Sequence, residues 1–325
     1  MKFSVFLVGT LLLCASNAWA ARYYVSAGGT GHGQSWASPL GQLQEALRMA
    51  KSGDEVWVTN GIYTPSSSHD RSASFHIPPG VSVFGGFKGH ESHLDQRNWQ
   101  QNHTVLSGDL GALGDGSDNS FTIVYFSRAS SSTVLDGFTI AHGTAKAFIR
   151  GADPKVVGAA IFNDGSLGPS SPTIRNCIFE QNRAREGAAI YNYAAGGECT
   201  PQILNCTFKN NWADFNGGAI FNHANKSKCT PKISGCTFID NRAVYGGGIY
   251  NQAESGDCLP QLESSSFANN FSSMSGSVLY NKLKSGSRVY TTIKACQLEN
   301  NQSAAGSDID NNSAFVAQAI GLRID

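Results

Sequence analysis

From residue 173 to about residue 312, apolar positions come in short bursts that alternate with polar ones, and glycine or asparagine closes each burst. "TIRNCIFEQN" (173–182) and "GAAIYN" (187–192) make one such unit. Alternation with a period of two points to half-buried strands, and no apolar run of helical period lies between the bursts. The unit then recurs. Phe179, Phe208, Phe238 and Phe267 are 29, 30 and 29 residues apart. Asn182, Asn211, Asn241, Asn270 and Asn301 keep nearly that step. So do Ile190, Ile220, Ile249, Leu279 and Ile309, each followed two residues later by Asn192, Asn222, Asn251, Asn281 or Asn311. Self-similarity at this period marks a solenoid, a propeller or an array. The unit has no helix and is too short for a four-stranded propeller blade. Two or three strands with glycine turns fit one coil of a single-stranded parallel β-helix.

That architecture gives each repeated residue a task. Ile, Phe and Cys point inward and stack on their copies. Gly217-Gly218 and Gly246-Gly247 allow backbone geometries or close approaches that a Cβ would obstruct. The two asparagine series are structural ladders, with left-handed turns expected at Asn182 and its copies and amide bonds running from coil to coil.

The pattern continues toward the N-terminus with insertions. "VLDGFTIAHG" (134–143) and "GAAIFN" (158–163) are copies, and "VSVFGGF" (81–87) and "HTVLSGDL" (103–110) read as earlier coils. "PLGQLQEALRMA" (39–50) reads as a short amphipathic helix, placed to cover the first coil. The expected organisation is a leader over 1–20 and one all-β domain over 21–325. Within it, 21–80 form the N-terminal cap and first coil, 81–172 irregular coils, 173–312 regular repeats and 313–325 a C-terminal cap. Roughly eight coils at about 4.8 Å each give a length on the order of 40 Å.

Composition narrows the function. Only 15% of residues are charged and 24 Lys and Arg balance 24 Asp and Glu, so no net field favours nucleic acid or an anionic membrane. Lys2, the apolar "FSVFLVGTLLLCA" and Ala18-Trp19-Ala20 form an export signal with cleavage near Ala20. No later apolar run is long enough for a transmembrane segment. The chain is thus expected to be secreted, periplasmic or held at the cell surface. Its oligomeric state is not readable from the sequence.

The repeat resembles that of the chlamydial polymorphic membrane proteins: Phe-x-x-Asn at 179–182, 208–211, 238–241 and 267–270, alternating with "GAAI", "GGAI" and "GGGI". The N-terminal "GDEVWVTNGIYTP", "GGFKGHES" and "LSGD" look like the opening of secreted right-handed parallel β-helix proteins of the pectin-lyase-like superfamily. The first resemblance implies an adhesin, without the translocation barrel of that family. The second implies a fold that carries polysaccharide lyases and hydrolases as well as adhesins. No lyase or galacturonase motif is present onto which catalytic residues could be mapped.

Candidate chemistry lies in four places. Arg183, Trp212, Arg242 and Phe271 share one repeat position, and the alternation turns them outward, where rings and guanidinium groups suit sugar faces and carboxylates. Tyr191, Phe221 and Tyr250 form a second line, facing either a ligand or a covering loop. Asp109, Asp115 and Asp118 in "SGDLGALGDGSDNS" could hold calcium, or simply make turns; no cofactor is required. Cys177, Cys206 and Cys236 form a thiol ladder with Ser266 in the gap before Cys296, and Cys199 and Cys229 are near enough in the stack for one disulfide. The leading reading is a lateral face that binds a polysaccharide or cell-surface ligand. The alternatives are a polysaccharide-degrading enzyme, a lyase before a hydrolase, and a structural repeat module with no soluble ligand.

Overall fold

The computed structural model describes residues 20–312 apart from 148, 150 and 285, together with 319–320 and 323–324. The leader, and most of the segment expected to cap the C-terminus, lie outside the described residues. The chain winds as a parallel β-solenoid. One turn runs Gln202–Leu204, Thr207–Lys209, Trp212–Asn216, Ile220–Asn225 and Lys228–Cys229. These five strands belong in order to a first sheet of ten strands, a second of nine, a third of six, a fourth of eight and a small fifth of three. Every pairing is parallel and joins a strand to its copy one coil away, as in Thr207↔Thr237 and Phe208↔Phe238.

Two expectations change in number. The first sheet counts ten coils instead of about eight, because Arg22–Val25 and Ala319–Ile320 also join it. Neither strand carries the Phe-x-x-Asn sentence, so the repeat did not expose them. A regular coil also has four or five short strands rather than two or three. The period-two signal does not resolve three-residue strands separated by two residues, one of them bent.

Those bends explain the turn chemistry. Between the first and second sheets one residue per coil takes the left-handed conformation: Asn176, Asn205, Gly235, Ser264 and Ala295. Between the second and third sheets it is Gln181, Asn210, Asp240, Asn269 and Asn300. The expected left-handed residues, Asn182 and its copies, are one place later, because their amides must point inward. In the glycine pairs the two members differ. Gly217 has φ +65°, whereas a Cβ on Gly218 would lie 2.1 Å from the Gly247 carbonyl oxygen.

The interior has one long core. Phe179, Phe208, Phe238 and Phe267 stack nearly parallel, with centroids 4.8, 4.7 and 4.4 Å apart. Along one edge Asn182, Asn211, Asn241, Asn270 and Asn301 form a continuous ladder, each side-chain N–H donating to the next Oδ1 at 2.9–3.0 Å. The same amides donate to main-chain carbonyls one coil back, as Asn241 does to Phe208 at 2.9 Å. A second ladder runs Asn163, Asn192, Asn222, Asn251, Asn281 and Asn311. Helix α1 (Leu43–Met49) is shorter than the 39–50 expected and buries Leu43, Ala46 and Leu47 in the core of the first coils.

All seven cysteines described are buried free thiols. Cys177, Cys206, Cys236 and Cys296 share a register whose gap is filled by Ser265, not Ser266; its hydroxyl accepts the Cys236 N–H at 3.1 Å. Cys199 and Cys229 are aligned on adjacent coils, but no disulfide joins them. The Cys199 thiol instead donates to the Tyr193 carbonyl at 3.2 Å.

Candidate functional site

The third sheet sets its residues in two lines. Ala145, Ala184, Ala213 and Ala243 face inward and pack as a small alanine cluster, which keeps the strands flat against the core. The intervening positions face out. Arg183, Trp212, Arg242, Phe271 and Gln302 are paired rung by rung. Trp212 is 48% exposed and Phe271 40%. Phe215 and Met274 on the same two strands are exposed as well.

Charge is set among these rings. The Arg183 guanidinium lies 4.3 Å above the Trp212 ring. It is also 3.6 Å from Asp214, whose other oxygen takes Lys146 at 2.6 Å. Among the described residues Arg242 has no ion pair. It borders a groove of about 420 Å³ lined also by Asp240, Asn269, Phe271, Asn300 and Gln302. Asp240, Asn269 and Asn300 are the bent residues between the second and third sheets. Left-handed backbone leaves their side chains on the outside while the next asparagine turns inward. The seam therefore joins an aromatic–arginine stripe to a parallel line of amides. Sequence reasoning missed Asp240, Asn269, Asn300 and Gln302. The signal was there: a polar residue precedes every ladder asparagine, in Gln181, Asn210, Asp240, Asn269 and Asn300.

The second aromatic line is not available to a ligand. Tyr191, Phe221 and Tyr250 are 2%, 1% and 4% exposed. They stand outside the fourth sheet, as alternation requires, but Val156, Val157 and Tyr245 cover them in a separate core. Alternation states which side of a sheet a residue takes, not whether another segment lies over it.

The three aspartates are not gathered into one cluster of ligands. Asp109 accepts the Gly114 N–H at 3.1 Å, Asp115 that of Ser117 at 2.8 Å and Asp118 that of Ala112 at 2.7 Å. Each carboxylate thus closes its own turn. Among the described residues no group of three or more His, Cys, Asp or Glu could hold a metal. Asp118 Oδ1, Asn119 Oδ1 and Ser120 Oγ are buried beside them without hydrogen-bond partners.

At the covered aromatic line, His223 Nδ1 meets the Tyr191 hydroxyl at 2.8 Å, and Nε2 lies 3.8 Å from Glu254. Burial pushes the imidazole down to about 4; Glu254 opposes the shift and Lys284 adds to it. A depressed histidine favours the native state when neutral, so its contribution is intact above 6.5 and is lost as pH falls from there through about 4. The full loss is about 3 kcal/mol. Urea melts across that range should show this slope in the natural chain and not in His223→Gln. Glu186, raised by burial, titrates in both proteins with the opposite sign and cancels in the comparison. Equal slopes would contradict the assignment.

Comparison with known proteins adds two findings. Residues 176–193, 205–223 and 235–252 match the Chlamydia polymorphic membrane protein (Chlamydia_PMP) repeat, so the chain carries three copies of that repeat. Among solved structures, a crystal structure of pectate lyase Pel9A is similar over 93% of this chain and 82% of that one, at 13% identity and a TM-score of 0.41. No curated protein sequence matches the chain.

Proposed function

We propose that this chain is an exported surface-binding protein, adhesin-like in action, whose third sheet and adjoining turn line hold an extended glycan. The observation that carries the reading is the register of Arg183, Trp212, Arg242, Phe271 and Gln302. Rings, guanidinium groups and amides are offered once per coil, at steps of about 4.8 Å. A pyranose in an extended chain advances by a similar length, so successive sugars can meet successive rungs. Rings take sugar faces, Arg242 takes a carboxylate or sulfate, and Asn269, Asn300 and Gln302 bond hydroxyls. Because the rungs are fixed by ladders and a packed core, little ordering opposes binding. The groove holds one carboxylate, Asp240, beside Arg242.

Immobilised acidic polysaccharides should retain the mature chain. The double variant Trp212→Ala/Arg242→Ala should bind at least about tenfold more weakly, the loss of roughly 1.4 kcal/mol or more from two exposed contacts. Circular dichroism would show that it still folds. Retention unchanged by the double variant would remove the seam from consideration. Release of unsaturated uronate in the same mixtures would instead assign cleavage.

A further inference from the structure

A second recess lies at the other end of the molecule, away from the third sheet. The outward line of the fourth sheet runs His76, Tyr125, Phe162, Tyr191, Phe221, Tyr250 and Tyr280, each paired with its neighbour one coil on. From Phe162 onward the line is covered. Its first two members emerge into a cleft of about 350 Å³ beneath helix α1. The cleft is walled by Pro78, Pro79 and Ser127, with the core residues Leu47 and Ile77 behind them and Arg48 at its rim.

The floor is made of ring faces. His76 and Tyr125 lie 4.8 Å apart at 31°. The Tyr125 hydroxyl is committed to Asp164 Oδ2 at 2.5 Å and also bonds the Ser127 side chain, which fixes the ring. Gln44 is also engaged, donating to the Pro65 and Ser74 carbonyls at 3.2 and 2.9 Å. Burial lowers the His76 imidazole, so it is neutral near pH 7. Among the described residues Arg48 has no ion pair, so it is the one full charge the cleft presents. Concave sites that are mostly apolar, with a few convergent polar groups, are ligand sites, and this volume lies at the small end of their range.

We infer that this cleft binds a small single-ring carboxylate, its flat apolar ring held between Pro78-Pro79 and the His76 and Tyr125 faces and its carboxylate on Arg48. Beyond His76 and Ser127, the two prolines and the ring faces leave few partners for the many hydroxyls of a sugar, whereas an aryl ring needs none. The inference is independent of the glycan seam, since the two sites share no residue.

The test is ligand-observed saturation-transfer NMR and calorimetry on the mature chain, with 3-phenylpropionate as probe. Its neutral amide and galacturonate serve as comparisons. The expected result is saturation of the phenyl protons, with affinity at least about tenfold weaker for the amide and for Arg48→Gln, the loss of a single charge-assisted contact. His76→Ala should weaken binding and Trp212→Ala should leave it unchanged. Absence of transfer from phenylpropionate, binding that survives Arg48→Gln, or preference for galacturonate would each overturn the proposal. Arg48 is exposed, so Arg48→Gln should melt with the natural chain, and that melt separates lost binding from lost fold.

Discussion

Replacing Asn241 with leucine is expected to destabilise the solenoid by about 3–5 kcal/mol, although the two side chains are close in volume. Asn241 is fully buried and every polar atom of its amide is engaged. Its Oδ1 accepts the Asn211 N–H at 3.2 Å and the Asn211 side chain at 3.0 Å. Its Nδ2 donates to the Phe208 carbonyl and to Asn270 Oδ1, both at 2.9 Å. Leucine removes four interior hydrogen bonds, while Asn270 Oδ1 keeps the Asn241 main-chain N–H at 3.1 Å and the Asn211 amide keeps the Phe179 carbonyl at 2.9 Å. A buried group orphaned in this way costs about 1–3 kcal/mol, and relaxation recovers only part of the sum. The control is the preceding residue. Asn210 is exposed and left-handed, so Asn210→Gly should shift stability by less than about 1 kcal/mol. Chemical denaturation of the two variants checks the difference. Similar midpoints would mean that the ladder contributes little.

The second large effect is expected at Phe238. Its ring lies between Phe208 at 4.7 Å and Phe267 at 4.4 Å, within 8° and 3° of parallel. Truncation to alanine removes both ring contacts and opens a cavity that a solenoid core cannot easily collapse, because ladders above and below fix the coil spacing. The expected loss is about 3–5 kcal/mol. Phe238→Leu should lose less, because most of the apolar volume remains. A smaller effect for alanine than for leucine would contradict the packing described.

These two residues show why the fold was readable. A coil stacked on its copy imposes the same demand on the same position each time. Phe238 and Asn241 therefore appear four and five times at one spacing, and the spacing alone identifies the architecture. Legibility fell where the demand was not repeated. The strand Arg22–Val25 stacks like the others but lies ahead of a helix, so its coil went uncounted. The bent residues were placed one position late, because asparagine suits both a left-handed turn and an inward ladder, and composition does not divide the two roles. Tyr191 and Phe221 take the side of their sheet that alternation predicts, but what covers them comes from Ala147, Ala152, Val156, Val157 and Tyr245, outside any local pattern.

The proposed seam was half legible for the same reason. Arg183, Trp212, Arg242 and Phe271 stood out as large side chains where alternation turns outward. Asp240, Asn269 and Asn300 did not, because turn propensity already accounts for polar residues at those positions. Only the structure places the turn line beside the stripe and leaves a groove between them. The aspartate segment failed in the opposite way. Its composition suits a cation, but each carboxylate accepts a different backbone N–H of the loop and the three are not clustered.

The most direct test of the glycan seam is calorimetric titration of the mature chain with acidic oligosaccharides of graded length. Rungs one coil apart predict affinity that rises with each added sugar until the ligand spans the five positions from Arg183 to Gln302, and then levels off. Affinity that does not change with length, or no heat at any length, would contradict a ladder-like binding face.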